Sequence, residues 1–309
     1  MELIEDGCTV PTSWADAMLQ GFRSMQVENA RVVATTNFVT KVAELTGNAS
    51  YTATRGSGAV AAKTITGPDG SVVVMNYDEL PPLSLLDIQR LAAHEGGHVV
   101  IDARGNEETS GNRDPEDSDW QWLLKALSAQ AIVEFRIERR LAELGYGASE
   151  WASAASVDQG LLVVNAEIVG AVCDPASDDP RHLHDAVVTT LNHVTKMLAY
   201  VAAPLTTGEA GFAPSQMSDF GQKNWADYIA PTWPERISLW KSAPSASEPI
   251  AVEAWRAILR QGVELERQFV LNVGFAFEDA PDGGYGFYRK ASDAVFNARL
   301  RRLRSQVYE

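Results

Sequence analysis

Cysteine is scarce in this chain of 309 residues, which contains only Cys8 and Cys173. Two cysteines cannot form the disulfide framework typical of small secreted domains, so a reducing compartment is the simpler expectation. The first ten residues, MELIEDGCTV, also lack the basic and apolar regions of a secretory signal peptide. Together these absences predict a cytoplasmic protein.

Long apolar runs and excess positive charge are lacking as well. The most apolar stretches, 161–173 and 186–203, are interrupted by polar or charged side chains that include Asn165, Glu167 and Lys196. A membrane-spanning helix needs about 20 mostly apolar residues. The formal net charge of −15 opposes attraction to nucleic acids and to anionic membranes. We therefore expect neither a nucleic-acid partner nor a membrane partner.

What the sequence does contain is enough apolar material for a large core, since 45% of its residues are hydrophobic. The periodicity predicts an α+β fold that is mostly helical, with a small β-sheet in the first half and a helical second half. We predict two helices within 12–47, a hairpin within 51–77, and helices at about 84–102, 118–144, 152–172, 182–203, 249–270 and 292–307. A polar loop is expected at 104–119 and a surface linker at 242–249.

The segment RLAAHEGGHVVID, residues 90–102, carries the first chemical signal. His94 and His98 lie four positions apart, so a helix places their Cβ atoms about 5–6 Å from one another. Two imidazoles so placed can bind one Zn²⁺ ion, and Glu95 lies about 100° around the helix, within reach of a metal-bound water. The helix is apolar nearly all round, so burying these groups without a role would be costly. The alternative is chance, or histidines satisfied by hydrogen bonds in the core.

Two helix positions between the histidines are glycines. Gly96 and Gly97 each cost about 1 kcal/mol in a helix interior relative to alanine. We expect the two glycines to allow close packing against a neighbouring element. The alternative is neutral drift at positions that tolerate glycine.

The second signal lies on the predicted helix 118–144, where Glu134 and Glu138 are four residues apart. Steps of 100° put both glutamates on the apolar face of that helix, whereas five charged residues occupy the opposite face. These five are Lys125, Arg136, Arg139, Arg140 and Glu143. Two acids on a buried stripe suggest metal binding, with Glu134 as the expected third ligand and Glu138 as the alternative. They could also pair with buried arginine or cap internal amides.

The motif HEGGH resembles the HExxH motif of zincin metallopeptidases, and the two glutamates are similar to the Glu-x-x-x-Asp motif of the gluzincin branch. The likeness covers roughly residues 55–145. It implies a zincin-like core with the small sheet preceding the HExxH helix, and one Zn²⁺ per chain held by His94, His98 and Glu134. Glu138 would support a histidine, although it stands where the gluzincin pattern has aspartate. In place of the longer motif HExxHxxGxxH, the later positions here are Ile101 and Arg104, which excludes that branch.

A weaker likeness concerns AIVEFRIERRL, residues 131–141, which is similar to the segment after HExxH in cobalt-chelatase-like proteins. The von Willebrand-type metal motif of those proteins is not found in this sequence.

The zincin resemblance implies a zinc-dependent metallopeptidase that hydrolyses peptide bonds with a metal-activated water and Glu95 as general base. Its partner would be a protein or peptide substrate. His193 and Tyr200, seven apart on one predicted helix, are candidate oxyanion donors, and ordinary half-buried polar residues are the alternative for both. The rival to the enzyme is a structural, assembly or peptide-binding protein that keeps the metal site without catalysis. Glu95 favours the enzyme, because a structural site needs no base.

We predict two regions. Residues 1–245 form the metallopeptidase domain, with the sheet and active-site helix at about 50–103, the third-ligand helix at about 118–144 and a helical subdomain at 150–241. Residues 246–309 form a C-terminal helical extension.

Overall fold

The computed structural model describes residues 1–55, 58–67, 70–105, 117–208, 212–281 and 284–307. The described residues are mostly helical with small sheets, which confirms the α+β class. The chain divides into two compact units with interleaved segments. The first unit comprises Met1–Glu108, Arg136–Gly147 and Pro244–Ile250, and the second comprises Thr109–Phe135, Ala148–Ala243 and Ala251–Glu309. The sequence pattern had instead predicted a single boundary at 245/246.

The first unit contains a four-stranded sheet, a two-stranded ribbon and three helices, together with the end of a fourth helix. Its elements are β1 (Glu2–Asp6), α1 (Thr12–Ser24), β2 (Arg31–Thr35), α2 (Phe38–Thr46), β3 (Thr54–Arg55), β4 (Gly58–Ala59), β5 (Ala62–Gly67), β6 (Gly70–Asn76), α3 (Leu85–Asp102) and the C-terminal part of α4 (Asp119–Glu143).

The main sheet has the strand order β1-β2-β6-β5. The first three strands are parallel, and β5 is antiparallel to β6, with Thr64 opposite Val73. The predicted hairpin is confirmed by β5 and β6, and Pro68 and Asp69 of its turn lie outside the described residues. This order makes β5 one of the two edge strands of the sheet, with β1 at the other edge.

The expectation of only two helices within 12–47 is wrong, because β2 lies between α1 and α2. The sequence of β2, RVVAT, contains adjacent β-branched residues, and this strand pairs on both sides, with β1 and with β6. The pairing joins segments far apart in the chain, which a local helical period does not reveal.

Helix α3 begins where the sequence predicts. Ser84 caps it by accepting from the backbone N–H of Asp87, whose side chain in turn accepts from the backbone of Ser84. Close packing explains both glycines of HEGGH. A Cβ atom on Gly96 would lie 3.3 Å from Met25 Cβ on the α1 side, and one on Gly97 would lie only 2.8 Å from Cγ1 of Ile137 on α4. The glycines therefore let two neighbouring helices approach α3.

The second unit is mainly helical. Its elements are the N-terminal part of α4, α5 (Ala154–Cys173), α6 (Pro180–Thr207), α7 (Asp219–Tyr228), α8 (Trp233–Ser242), α9 (Val252–Val273), β7 (Phe275–Asp279), β8 (Tyr285–Arg289) and α10 (Asp293–Val307). The hairpin of β7 and β8 corrects the expectation of a wholly helical C-terminal extension. Both strands are rich in aromatic residues, and Phe277 pairs with Phe287 in the ladder.

One described helix, α5, is long and apolar enough to cross a membrane by length and composition. A single helix of this kind is weak evidence, because a core helix passes the same test. Two polar side chains of α5 are hydrogen-bonded inside the second unit. Asn165 Oδ1 accepts from the Tyr228 hydroxyl at 2.9 Å, and Glu167 Oε2 accepts from the Thr190 hydroxyl at 2.6 Å. Helix α5 therefore gives no evidence for a membrane protein.

The predicted surface linker at 242–249 is exposed only in part: Ser247, Glu248 and Pro249 are exposed, whereas Ala243, Ser245 and Ala246 are buried. Arg136 binds the carbonyl oxygens of Pro244 and Glu248 at 2.9 and 2.7 Å. Arg104 binds those of Ala246 and Glu248, both at 2.9 Å. The small side chains of Ser245 and Ala246 fit the buried part of this strap, residues 243–249, and the two arginines bind three of its carbonyl oxygens. Of the predicted loop at 104–119, residues 106–116 lie outside the described residues.

Candidate metal centre

The two histidines lie one turn apart on α3. Their ring centroids are 5.1 Å apart, with the ring planes inclined at 72°. His94 is buried and His98 is half-buried, so one imidazole is more accessible than the other. This is the arrangement that their spacing predicts.

Glu134 completes a group of three side chains that could hold a metal ion. One ligand atom from each of His94, His98 and Glu134 lies within 4.8 Å of the other two. Glu134 belongs to α4, an uninterrupted helix that also carries Glu138 one turn later. Two imidazole nitrogens and one carboxylate oxygen form a ligand set that zinc accepts, and three protein ligands are the usual number in catalytic zinc sites. The residue types therefore fit such an ion.

Glu138 contacts the first histidine directly. Its Oε1 lies 2.9 Å from Nδ1 of His94, and its Oε2 accepts a hydrogen bond from Nη2 of Arg90. A hydrogen bond from Nδ1 of His94 to this carboxylate would leave Nε2 to bind a metal. The longer glutamate side chain thus reaches the histidine, as the gluzincin pattern requires of its aspartate.

Glu95 is buried and held by a residue that the sequence pattern did not single out. The hydroxyl of Thr64, on edge strand β5, donates to Glu95 Oε2 at 2.6 Å and lies 3.2 Å from the backbone oxygen of Glu95. Two residues along the same strand, the hydroxyl of Thr66 donates to Oδ2 of Asp102. Alternation along a strand puts Thr64 and Thr66 on one face, and this face meets α3. That alternation is the signal that could have revealed Thr64.

Of the two candidate oxyanion donors, Tyr200 touches the metal-binding group. Its hydroxyl donates to Oε2 of Glu134 at 3.4 Å. His193 lies about two turns earlier on the same helix, α6. Both side chains are half-buried. The role of either residue as an oxyanion donor stays a prediction.

The charged face predicted for α4 is not wholly exposed. Arg136 is fully buried, with its guanidinium on the strap carbonyls, and Lys125 is buried against Asp117. Of the five residues predicted for that face, those near the C-terminal end of the helix are partly exposed, and there Arg139 and Glu143 pair at 3.3 Å. Burial alone therefore does not distinguish the two glutamates from the other charged residues of α4. Their contacts with histidine, tyrosine and arginine do.

Comparison with known proteins found no matching family model, no similar curated protein and no similar solved structure.

Proposed function

We propose that this protein is a zinc-dependent metallopeptidase of gluzincin-like type that cleaves peptide bonds in a protein or peptide substrate in the cytoplasm. The observation that carries the proposal is the convergence of His94, His98 and Glu134 on one small volume, with Glu95 next to the first histidine. In this proposal β1, β2, β6 and β5 form the zincin-like sheet, and β5 is the strand nearest the general base.

Zinc is the proposed metal because the ligand set mixes imidazole with a single carboxylate. Sites for magnesium and calcium are built from oxygen ligands, whereas imidazole suits zinc and its neighbours in the transition series. One zinc ion per chain, when bound, would act as a Lewis acid towards water and the scissile carbonyl.

The chain's own residues supply the proton transfers. Glu95 accepts the proton of the attacking water and delivers it to the leaving amine, which is general acid–base catalysis by one carboxylate. The hydrogen bond from Thr64 restricts this carboxylate to one orientation. Glu138 holds the ring of His94 through Nδ1. Tyr200 or His193 is proposed to donate a hydrogen bond to the oxygen that gains negative charge in the transition state.

The alternative is a structural, assembly or peptide-binding protein that holds a metal without catalysis. A buried glutamate beside the histidines, held by a dedicated hydroxyl, supports the enzyme, because a purely structural site has no use for a base. The test is cleavage of a mixed peptide library, read by mass spectrometry, by zinc-loaded and chelator-treated protein. The proposal expects cleavage products only with the loaded protein. If the loaded protein cleaves no peptide in the library, the non-catalytic alternative is favoured.

A further inference from the structure

Arg90 is a residue of α3 to which the HExxH pattern gives no role. It lies one turn before His94, on the stripe that continues to His98. Its Nη2 donates to Oε2 of Glu138, whose other oxygen lies 2.9 Å from Nδ1 of His94. One carboxylate on α4 thus bridges two side chains on successive turns of α3.

A second contact anchors the same guanidinium. Arg90 Nε donates to the backbone oxygen of Gly147 at 3.0 Å, just beyond the end of α4. The guanidinium is therefore held on two sides, and its planar group of donors presents a fixed edge to Glu138. The Arg90 side chain is only 17% exposed and that of Glu138 only 3%. Water thus has little access to the pair, and its geometry is set by the protein.

The length of Glu138 makes such an anchor useful. The gluzincin pattern has aspartate at this position, and glutamate adds one methylene group and one rotatable bond. A side chain with more rotamers loses more conformational entropy when it is held against a histidine. A charge-assisted hydrogen bond from arginine to the second carboxylate oxygen removes that freedom before the metal arrives.

We infer that Arg90 is a positioning residue for the metal site, which acts on His94 only through Glu138. This inference rests on the proposed function for the presence of the metal. Arg90 locks the carboxylate of Glu138, and the carboxylate fixes the ring orientation of His94.

The test is a double-mutant cycle on zinc affinity, measured by competition with a chromophoric chelator. We expect Arg90→Ala and Glu138→Ala each to weaken zinc binding by about 10–100-fold, the range found when a ligand loses the group that orients it. The double variant should bind no more weakly than Glu138→Ala alone, because the inferred effect of Arg90 passes through Glu138. Arg139→Ala is the matched control. It removes another arginine–glutamate ion pair at the end of α4 and should bind zinc like the parent.

A purely structural ion pair between α3 and α4 would give a different pattern. In that case Arg90→Ala would lower the thermal midpoint of the metal-free protein. The zinc affinity of the folded fraction and the absorption spectrum of the Co²⁺-substituted protein would both stay unchanged. We expect the visible bands of the Co²⁺ protein to shift in Arg90→Ala. Arg90→Lys should restore part of the affinity, because an ammonium group can donate to Glu138 but cannot also hold Gly147 through Nε.

The results distinguish a failure of the role inferred for Arg90 from a failure of the proposed zinc site. If the parent protein takes up no metal, both fail. If the parent binds zinc and Arg90→Ala binds it equally well, or if the effects of the two single substitutions add in the double variant, only the role of Arg90 is overturned. If Arg90→Ala does not fold, the cycle is run with Arg90→Lys. Zinc affinity of Arg90→Lys equal to that of the parent would then overturn the role of Arg90.

Discussion

The hydroxyl of Thr64 donates a 2.6 Å hydrogen bond to the carboxylate of Glu95, which ties the edge strand β5 to the helix that carries both histidines. The two residues are 31 positions apart in the sequence. The bond gives the proposed general base one defined orientation, and it puts the edge of the sheet next to the candidate metal centre. The chemistry proposed for this centre and the packing that supports it can each be tested by substitution.

The first prediction is stoichiometric zinc. Protein purified without chelator should contain about one zinc per chain by elemental analysis, because three suitable ligands converge. Removal of the metal should lower the thermal midpoint, since a ligand at a hundred times its Kd stabilises the folded state by about 2.7 kcal/mol. Calorimetry with and without chelator measures this. Absence of metal together with no uptake on titration would contradict the site.

The second prediction identifies the third ligand. Glu134→Ala should weaken zinc binding by more than the roughly 10–100-fold expected when a ligand only loses its orienting partner. The control is Glu143→Ala on the same helix, because Glu143 pairs with Arg139 and Arg140 at the partly exposed end of α4. Zinc titration of the two variants compares them directly. Equal affinities would remove Glu134 from the ligand set.

The third prediction separates an enzyme from a binding protein. Glu95→Gln keeps the size of the side chain but cannot accept a proton, so the variant should fold and bind zinc like the parent. Peptide cleavage should fall by about 10²–10⁴-fold, the usual contribution of general acid–base catalysis. Zinc content and cleavage of the peptide library are measured on the same samples. Equal cleavage by parent and variant would show that Glu95 is not the base.

The fourth prediction concerns Thr64. Thr64→Val removes the hydroxyl and keeps the shape, so zinc binding should persist while cleavage slows by roughly 10–100-fold. That range corresponds to a hydrogen bond to a charged group of about 1.5–3 kcal/mol. Thr64→Ser should restore most of the rate. The control is Thr66→Val, which removes an equivalent bond from the same strand to Asp102 and should cleave like the parent. An unchanged rate in Thr64→Val would show that this bond does not orient the base.

The fifth prediction tests the packing beneath the site. Gly97→Ala would bring a Cβ atom within 2.8 Å of Ile137, and overpacking of this kind costs about 1–3 kcal/mol of unfolding free energy. Gly170→Ala is the matched control, because Gly170 lies within α5, is exposed, and has no atom within 4 Å of an added Cβ. That change should stabilise by about 1 kcal/mol through helix propensity. Urea unfolding of both variants gives the comparison, and equal effects would contradict the close approach.

The α+β class, the hairpin before α3 and the long helices follow from local pattern, and the structure agrees with them, with the predicted helix ends displaced by up to four residues. Strands β1 and β2 and the hairpin of β7 and β8 were missed. The prediction of a surface linker at 242–249 missed the burial of Ser245 and Ala246, because small polar residues resemble a loop. The strap is bound by Arg104 and Arg136, whose partners no local pattern identifies.

The sequence by itself determined which polar side chains α3 carries close together and where this helix begins. The spacing of His94, Glu95 and His98 and the cap at Ser84 are local, since a helix repeats every 3.6 residues whatever surrounds it. The same period puts Glu134 and Glu138 on one face of α4. Only the tertiary structure decided which groups meet across helices and strands: Thr64 with Glu95, and Arg90 with Glu138. Those pairs depend on how α3 packs against β5 and α4, and packing is a property of the whole folded unit that no short stretch of sequence contains.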